Sequence, residues 1–152
     1  MKTNPILTAV MLASVGALFT LSGCIVKATP AKSTPTKTSA PQLRTMKPVE
    51  CKEDRTVRLD KVKIESDTDA ISITGYCKVV ITNSEIISKK FAVRASGESS
   101  VTIRNSTIQG EYKAVGLTKQ ASLVSSNTVY VGGMSRTPTS KFNDGGGNQW
   151  RG

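Results

Sequence analysis

The stretches "KVVITNSEIIS" (Lys78–Ser88) and "SVTIRNSTIQG" (Ser100–Gly110) state one pattern twice, 22 positions apart. In both, aliphatic residues alternate with polar ones, which is the period of a strand and not of a helix, and β-branched residues dominate. Asn-Ser then interrupts the run at the same place, Asn83-Ser84 and Asn105-Ser106, where a turn is expected. Working outward, the register extends in both directions. Val57, Val79 and Val101 form one set; Leu59, Ile81, Ile103 and Val124 a second; Ile64, Ile86, Ile108 and Val129 a third. Ala70, Ala92 and Ala114 follow suit, trailed by Ile71, Val93 and Val115 and then by Ile73, Ala95 and Leu117. The period is 22, with a slip to 21 expected at the last step to Val124 and Val129.

One such unit cannot bury its apolar face alone, so the repeats must stack for a core to exist. Short strands with apolar residues pointing one way solve this as turns of a broad coil, equivalent strands lying about 4.8 Å apart in parallel. The pattern from Thr56 to Val131 resembles the right-handed parallel β-helix, the fold of pectate lyases and related polysaccharide-active proteins. The expectation is an all-β domain over 49–132 of about 3–4 coils, with a 22-residue repeat. An antiparallel sandwich is the alternative, but it has no reason to hold a 22-residue register. "VECKEDRT" (Val49–Thr56) reads as a cap on the first coil. The Gly-rich tail, 133–152, is expected to be loose, with Phe142 or Trp150 covering the last coil. Asn83 and Asn105 are expected to stack and pass hydrogen bonds along the turns.

The first fifty residues have another character. "PILTAVMLASVGALFTL" (Pro5–Leu21) is apolar after a short polar start, the core of a signal peptide and too short to favour a permanent transmembrane helix. "LSGC" (Leu21–Cys24) resembles the lipobox of bacterial lipoproteins. That resemblance implies diacylglyceryl attachment at Cys24, removal of 1–23 and acylation of the new amino terminus. Two or three chains, at about 0.8 kcal/mol per buried CH₂, hold a protein firmly on a membrane. Ile25 in place of an Asp after the Cys favours the outer membrane in a Gram-negative organism, by the sorting habit of that family. The following segment, 24–48, is Thr-, Pro- and Lys-rich and reads as a disordered tether, its stretch from Lys27 to Pro48 reaching about 70 Å if fully extended.

The formal charge of +10 is unevenly placed. Lys27, Lys32, Lys37, Arg44 and Lys47 carry about half of it on the tether, with no acidic residue among them. Such a tether can lie against anionic head groups or simply repel itself. Nucleic acid is not expected as a partner, because aromatic residues are too few for a stacking surface. Cys51 and Cys77 remain after Cys24 is assigned to lipid. In an exported chain with no His and no CxxC they read as a disulfide, two free buried thiols being the alternative.

Asp67, Asp69, Glu85, Glu98 and Glu111 are scattered over different turns and strands and form neither a carboxylate pair nor a metal-binding row. No catalytic residue, metal or cofactor is therefore assigned, and the protein is expected to be a non-enzymatic structural or interaction module. Arg94 and Arg104, with Lys89 and Lys90 in nearby turns, are the candidate basic face for an acidic polysaccharide or lipid-A phosphate, solvating charge that discourages edge pairing being the other explanation. The alternative function, by resemblance to larger β-helix enzymes, is binding or degrading an acidic polysaccharide. An envelope protein is the other expected partner.

Overall fold

The computed structural model describes residues 42–152. Residues 1–23, read above as a signal peptide, lie outside the described residues, as do Cys24 and most of the segment read as a tether. Strands β1 (Arg44–Met46), β2 (Val49–Cys51) and β3 (Thr56–Asp60) make one coil, and β4 (Val62–Ser66), β5 (Ile71–Ile73) and β6 (Lys78–Thr82) the next. Strands β7 (Glu85–Ser88), β8 (Phe91–Ala95) and β9 (Ser100–Arg104) form the third coil. The fourth contains β10 (Thr107–Gly110), β11 (Lys113–Leu117) and β12 (Ser122–Ser126). The fifth coil comprises β13 (Val129–Val131), β14 (Met134–Arg136) and β15 (Lys141–Asp144), and β16 (Gln149–Arg151) opens a sixth.

Equivalent strands pair in parallel into three sheets. The first runs β1-β4-β7-β10-β13-β16, the second β2-β5-β8-β11-β14, and the third β3-β6-β9-β12-β15. The chain is thus an all-β solenoid of about five coils, longer than the three to four expected. Both ends account for the difference. Arg44–Met46, assigned to the tether by composition, pairs in register with Val62–Ile64. The supposed loose tail supplies β14, β15 and β16, each paired to the coil before it. Val49–Thr56 is not a cap but a regular part of the first coil.

Inside, the ladders follow the sequence register. Ile64, Ile86 and Ile108 are fully buried in the first sheet, Ile71, Val93 and Val115 in the second, and Ile81 and Ile103 in the third. The slip to 21 does not occur. Leu123 pairs with Val101 and Ser125 with Ile103, which turns Val124 outward. Tyr130, not Val129, continues the Ile108 ladder and is completely buried. Burying these polar groups is tolerable because they satisfy one another. Tyr130 Oη donates to Ser125 Oγ at 2.6 Å, and Ser125 Oγ donates to Asn148 Oδ1 at 3.0 Å.

The corner from the third sheet to the first explains the Asn-Ser echo. Asn83, Asn105 and Asn127 sit there at φ of 51°, 50° and 50°, a left-handed conformation that Asn adopts more readily than most residues. Asn105 Nδ2 donates to Asn83 Oδ1 at 3.4 Å, and Asn83 Nδ2 to Asp60 Oδ1 at 2.9 Å, so the expected ladder forms. Ser84 and Ser106 turn inward behind it. Each accepts a backbone N–H from one coil earlier, Val62 to Ser84 and Ser84 to Ser106, both at 3.1 Å.

Cys51 and Cys77 are buried and joined by a disulfide, which ties the first coil to the second. At the other end Trp150 stacks on Tyr130, with ring centroids 4.1 Å apart, and Phe142 meets Trp150 edge-on. Both aromatic residues cover the last ladder positions.

Candidate functional site

Along β8 the alternation that buries Val93 and Ala95 sends Arg94 out of the second sheet. Its register neighbour on β11 is Gly116, which has no side chain to fill the surface. Phe91 uses that space. A Cβ on Gly116 would lie 2.6 Å from the Phe91 ring, so only glycine lets the ring lie across the sheet here. Tyr112, largely exposed, stands edge-on to Phe91 with centroids 5.2 Å apart. The Arg94 guanidinium sits 5.3 Å from the same ring, within cation–π range.

Asp69, one coil earlier, holds this group together. Its Oδ1 accepts the Phe91 N–H and its Oδ2 pairs with Arg94 Nη1, both at 3.3 Å. The Asp69 side chain is only 19% exposed against 54% for Arg94, so the carboxylate is fixed while the guanidinium keeps an open side. Beside them lies a groove of about 330 Å³ lined by Glu50, Thr68, Asp69, Ser72, Lys90 and Arg94. The groove offers two cations next to hydroxyl and carboxylate acceptors.

The four expected basic residues do not form one face. Arg94 and Lys90 share the groove just described. Arg104 ends β9 in the third sheet, in register with Thr82 and Ser126. Lys89 is engaged by Asp67 at 2.6 Å, an ion-paired hydrogen bond that raises the lysine pKa and lowers that of the carboxyl. It borders a separate groove with Glu65 and Glu111. The expected single face is corrected because outward alternation says nothing about which of three sheets a residue leaves from. Elsewhere on the surface, Lys63 is raised by Glu65 and then Glu85, and Asp60 is lowered by hydrogen bonds from Thr82 and Asn83.

Phe91 is not singled out by the sequence, Asp69 figures there only as one of several scattered carboxylates, and Tyr112 only as one of three tyrosines, with Tyr76 and Tyr130, available to a binding face. A signal for Asp69 is nevertheless present, since it lies 22 positions before Phe91 and so beside it in the stack. Among the described residues no group of three or more His, Cys, Asp or Glu is placed to hold a metal ion.

A family model described as "Right handed beta helix region" matches residues 49–141. Comparison with curated proteins and with solved structures finds no match. The family match spans most of the solenoid seen here, and its stated architecture agrees with the coil-by-coil parallel pairing of all three sheets. The chain belongs to the right-handed β-helix family.

Proposed function

We propose that the protein is a lipoprotein of the bacterial cell envelope, anchored through Cys24, whose β-helix is a non-enzymatic structural or interaction module held off the membrane by a basic tether. The observation that carries this reading is "LSGC" at Leu21–Cys24, directly after the apolar run Pro5–Leu21. The domain suits such a role. Its paired strands begin at Arg44, and five coils at about 4.8 Å each make a short rigid stack. The outer membrane is the favoured address if the organism is Gram-negative, because Ile25 follows the modified Cys. Metabolic labelling of producing cells with a radioactive fatty acid tests the anchor. Label should disappear in Cys24→Ala, and the variant should keep residues 1–23 and so a different mass; a labelled variant, or one with unchanged membrane attachment and mass, overturns the assignment.

A second reading, binding of an acidic polysaccharide, is supported by one specific feature. Arg94 and Lys90 line one groove, and the Arg94 guanidinium keeps an open side there, which suits a sugar carboxylate seated on a guanidinium with a second cation beside it. Binding to immobilised polyuronate should fall at least tenfold in Arg94→Ala and stay unchanged in Arg104→Ala, which lies in another sheet. Equal loss in both variants, or none in either, rules this groove out as the site. Cleavage of the polymer by the wild-type chain would defeat the non-enzymatic assignment.

A further inference from the structure

The last described coil ends in an open face. Among the described residues no strand lies beyond β14, β15 or β16, so the outer edges of all three have no strand partner within 42–152. Free edges of this kind are templates for pairing. The inward positions of that coil carry Met134, Phe142 and Trp150, and Trp150 remains 41% exposed. Two charges also stand at inward positions: Arg136 follows the Leu117 ladder and Asp144 follows Ser125. Asp144 Oδ1 accepts from Gly146 N at 2.8 Å and from Asn148 Nδ2 at 2.5 Å, which leaves Oδ2 without a hydrogen bond among the described residues, and neither Arg136 nor Asp144 takes part in an ion pair among those seen there.

We propose that this face binds the same face of a second copy of the chain, forming a two-fold dimer tail to tail. This goes beyond the envelope reading and does not depend on lipidation. Three edges set around one triangular coil can all be matched only by another coil of the same shape, which a second copy supplies. The orientation follows from the strand count. The first sheet holds six strands and the other two five each, so the end is a ramp rising from β14 through β15 to β16. A two-fold axis through β15 inverts that ramp. It brings β15 against its mate and β14 against the partner's β16, every pair at one inter-strand spacing.

The same axis places Phe142 against Phe142 of the partner subunit and Met134 against the partner's Trp150. It also exchanges the two ends of β15. Arg136 lies at the end where the second sheet meets the third and Asp144 where the third meets the first, so the axis brings each guanidinium to the corner that holds the partner's carboxylate, four residues along from the position directly opposite. Head-to-tail stacking fails on both counts. Seating β1 of one copy on β16 of another leaves the other two sheets a strand short. Closing that gap would set Arg136 and Asp144 over the first-coil positions of Cys51 and Leu59, burying unpaired charge. The isologous arrangement closes on itself and does not polymerise. The end of one coil is a small area, so the dimer belongs to the weak class of interface below about 1,200 Å².

The test is a charge exchange on the full chain, read by sedimentation velocity and by fluorescence of Trp150, the only tryptophan. The wild type should associate as concentration rises, with a blue shift of its emission as Trp150 is covered. Arg136→Asp alone and Asp144→Arg alone should each remain monomeric, with association weakened at least tenfold. An equimolar mixture of the two should dimerise, because both contacts are then of opposite sign. A wild type that stays monomeric up to millimolar concentration, or a mixture no better than its components, overturns the proposal. Because Asp144 also braces its own turn, a second pair of variants stands in where Asp144→Arg misfolds. Ser135→Cys and Gln149→Cys chains should form mixed disulfide dimers on mild oxidation, whereas crosslinking of Gln149→Cys to Thr45→Cys would show head-to-tail stacking instead.

Discussion

Replacing Tyr130 by phenylalanine removes one oxygen from the core and leaves the ring, its stack on Trp150 and the ladder above Ile108 in place. The lost contact is the 2.6 Å hydrogen bond to Ser125 Oγ, which still donates to Asn148. A neutral buried hydrogen bond of this kind is worth about 1 kcal/mol, so at pH 7.5 the variant should melt roughly 4–8 °C lower. The difference should then reverse in alkali. Burial, the largest cause, together with the Asp144 charge outweighs the Ser125 hydrogen bond and pushes the phenol from 10.0 up to about 12. The unfolded chain therefore gives up this proton first. Stability from this group is intact below pH 10 and falls by about 1.4 kcal/mol per unit as pH rises toward 12. The Tyr130→Phe chain, with no phenol to ionise, escapes that loss. Denaturant melts of both proteins from pH 7.5 to 11.5 should show the gap closing near pH 11 and changing sign above it. A gap that stays constant across this range would refute the assignment of a buried, protonated Tyr130.

Ile103→Asp should abolish cooperative unfolding, because Ile81 and Ser125 flank that position and offer a carboxylate no partner charge; Arg104→Asp, exposed beside it, should melt within a few degrees of wild type. Circular dichroism melts of the pair decide the register, and equal tolerance would contradict it. Reducing the Cys51–Cys77 bond, which closes a separation of 26 residues, should cost about 3.5 kcal/mol by chain entropy, read as a lower denaturant midpoint in the presence of reductant. Gly97→Ala should destabilise by more than about 1 kcal/mol, since Gly97 has φ +84° and a Cβ there would sit 2.9 Å from the Gly75 carbonyl oxygen. No change in its melting temperature would show that this turn relaxes without strain.

The alternation of Val79, Ile81, Val101 and Ile103 and their spacing of 22 determined a stacked parallel coil from sequence alone, because ladders of aliphatic residues are a local pattern copied at a fixed interval. The same reasoning foresaw the Asn83–Asn105 ladder and the pairing of Cys51 with Cys77. It failed where burial depends on a partner from another coil. Ser125 and Tyr130 look like outward residues in a hydrophobicity pattern, which favours Val124 and Val129 instead; only the hydrogen bonds among Tyr130, Ser125 and Asn148 make their burial tolerable. Composition likewise suggests a loose tail after Gly132, yet Lys141–Asp144 and Gln149–Arg151 gain backbone partners from a coil already in place. The candidate site shows the same division. Arg94 and Arg104 both point outward by alternation, but the three-sided coil sends them to different faces and gives Arg94 a setting of Asp69, Phe91 and Gly116 drawn from three successive coils. Repetition is written along the chain, whereas neighbourhood across coils exists only once the chain has closed on itself.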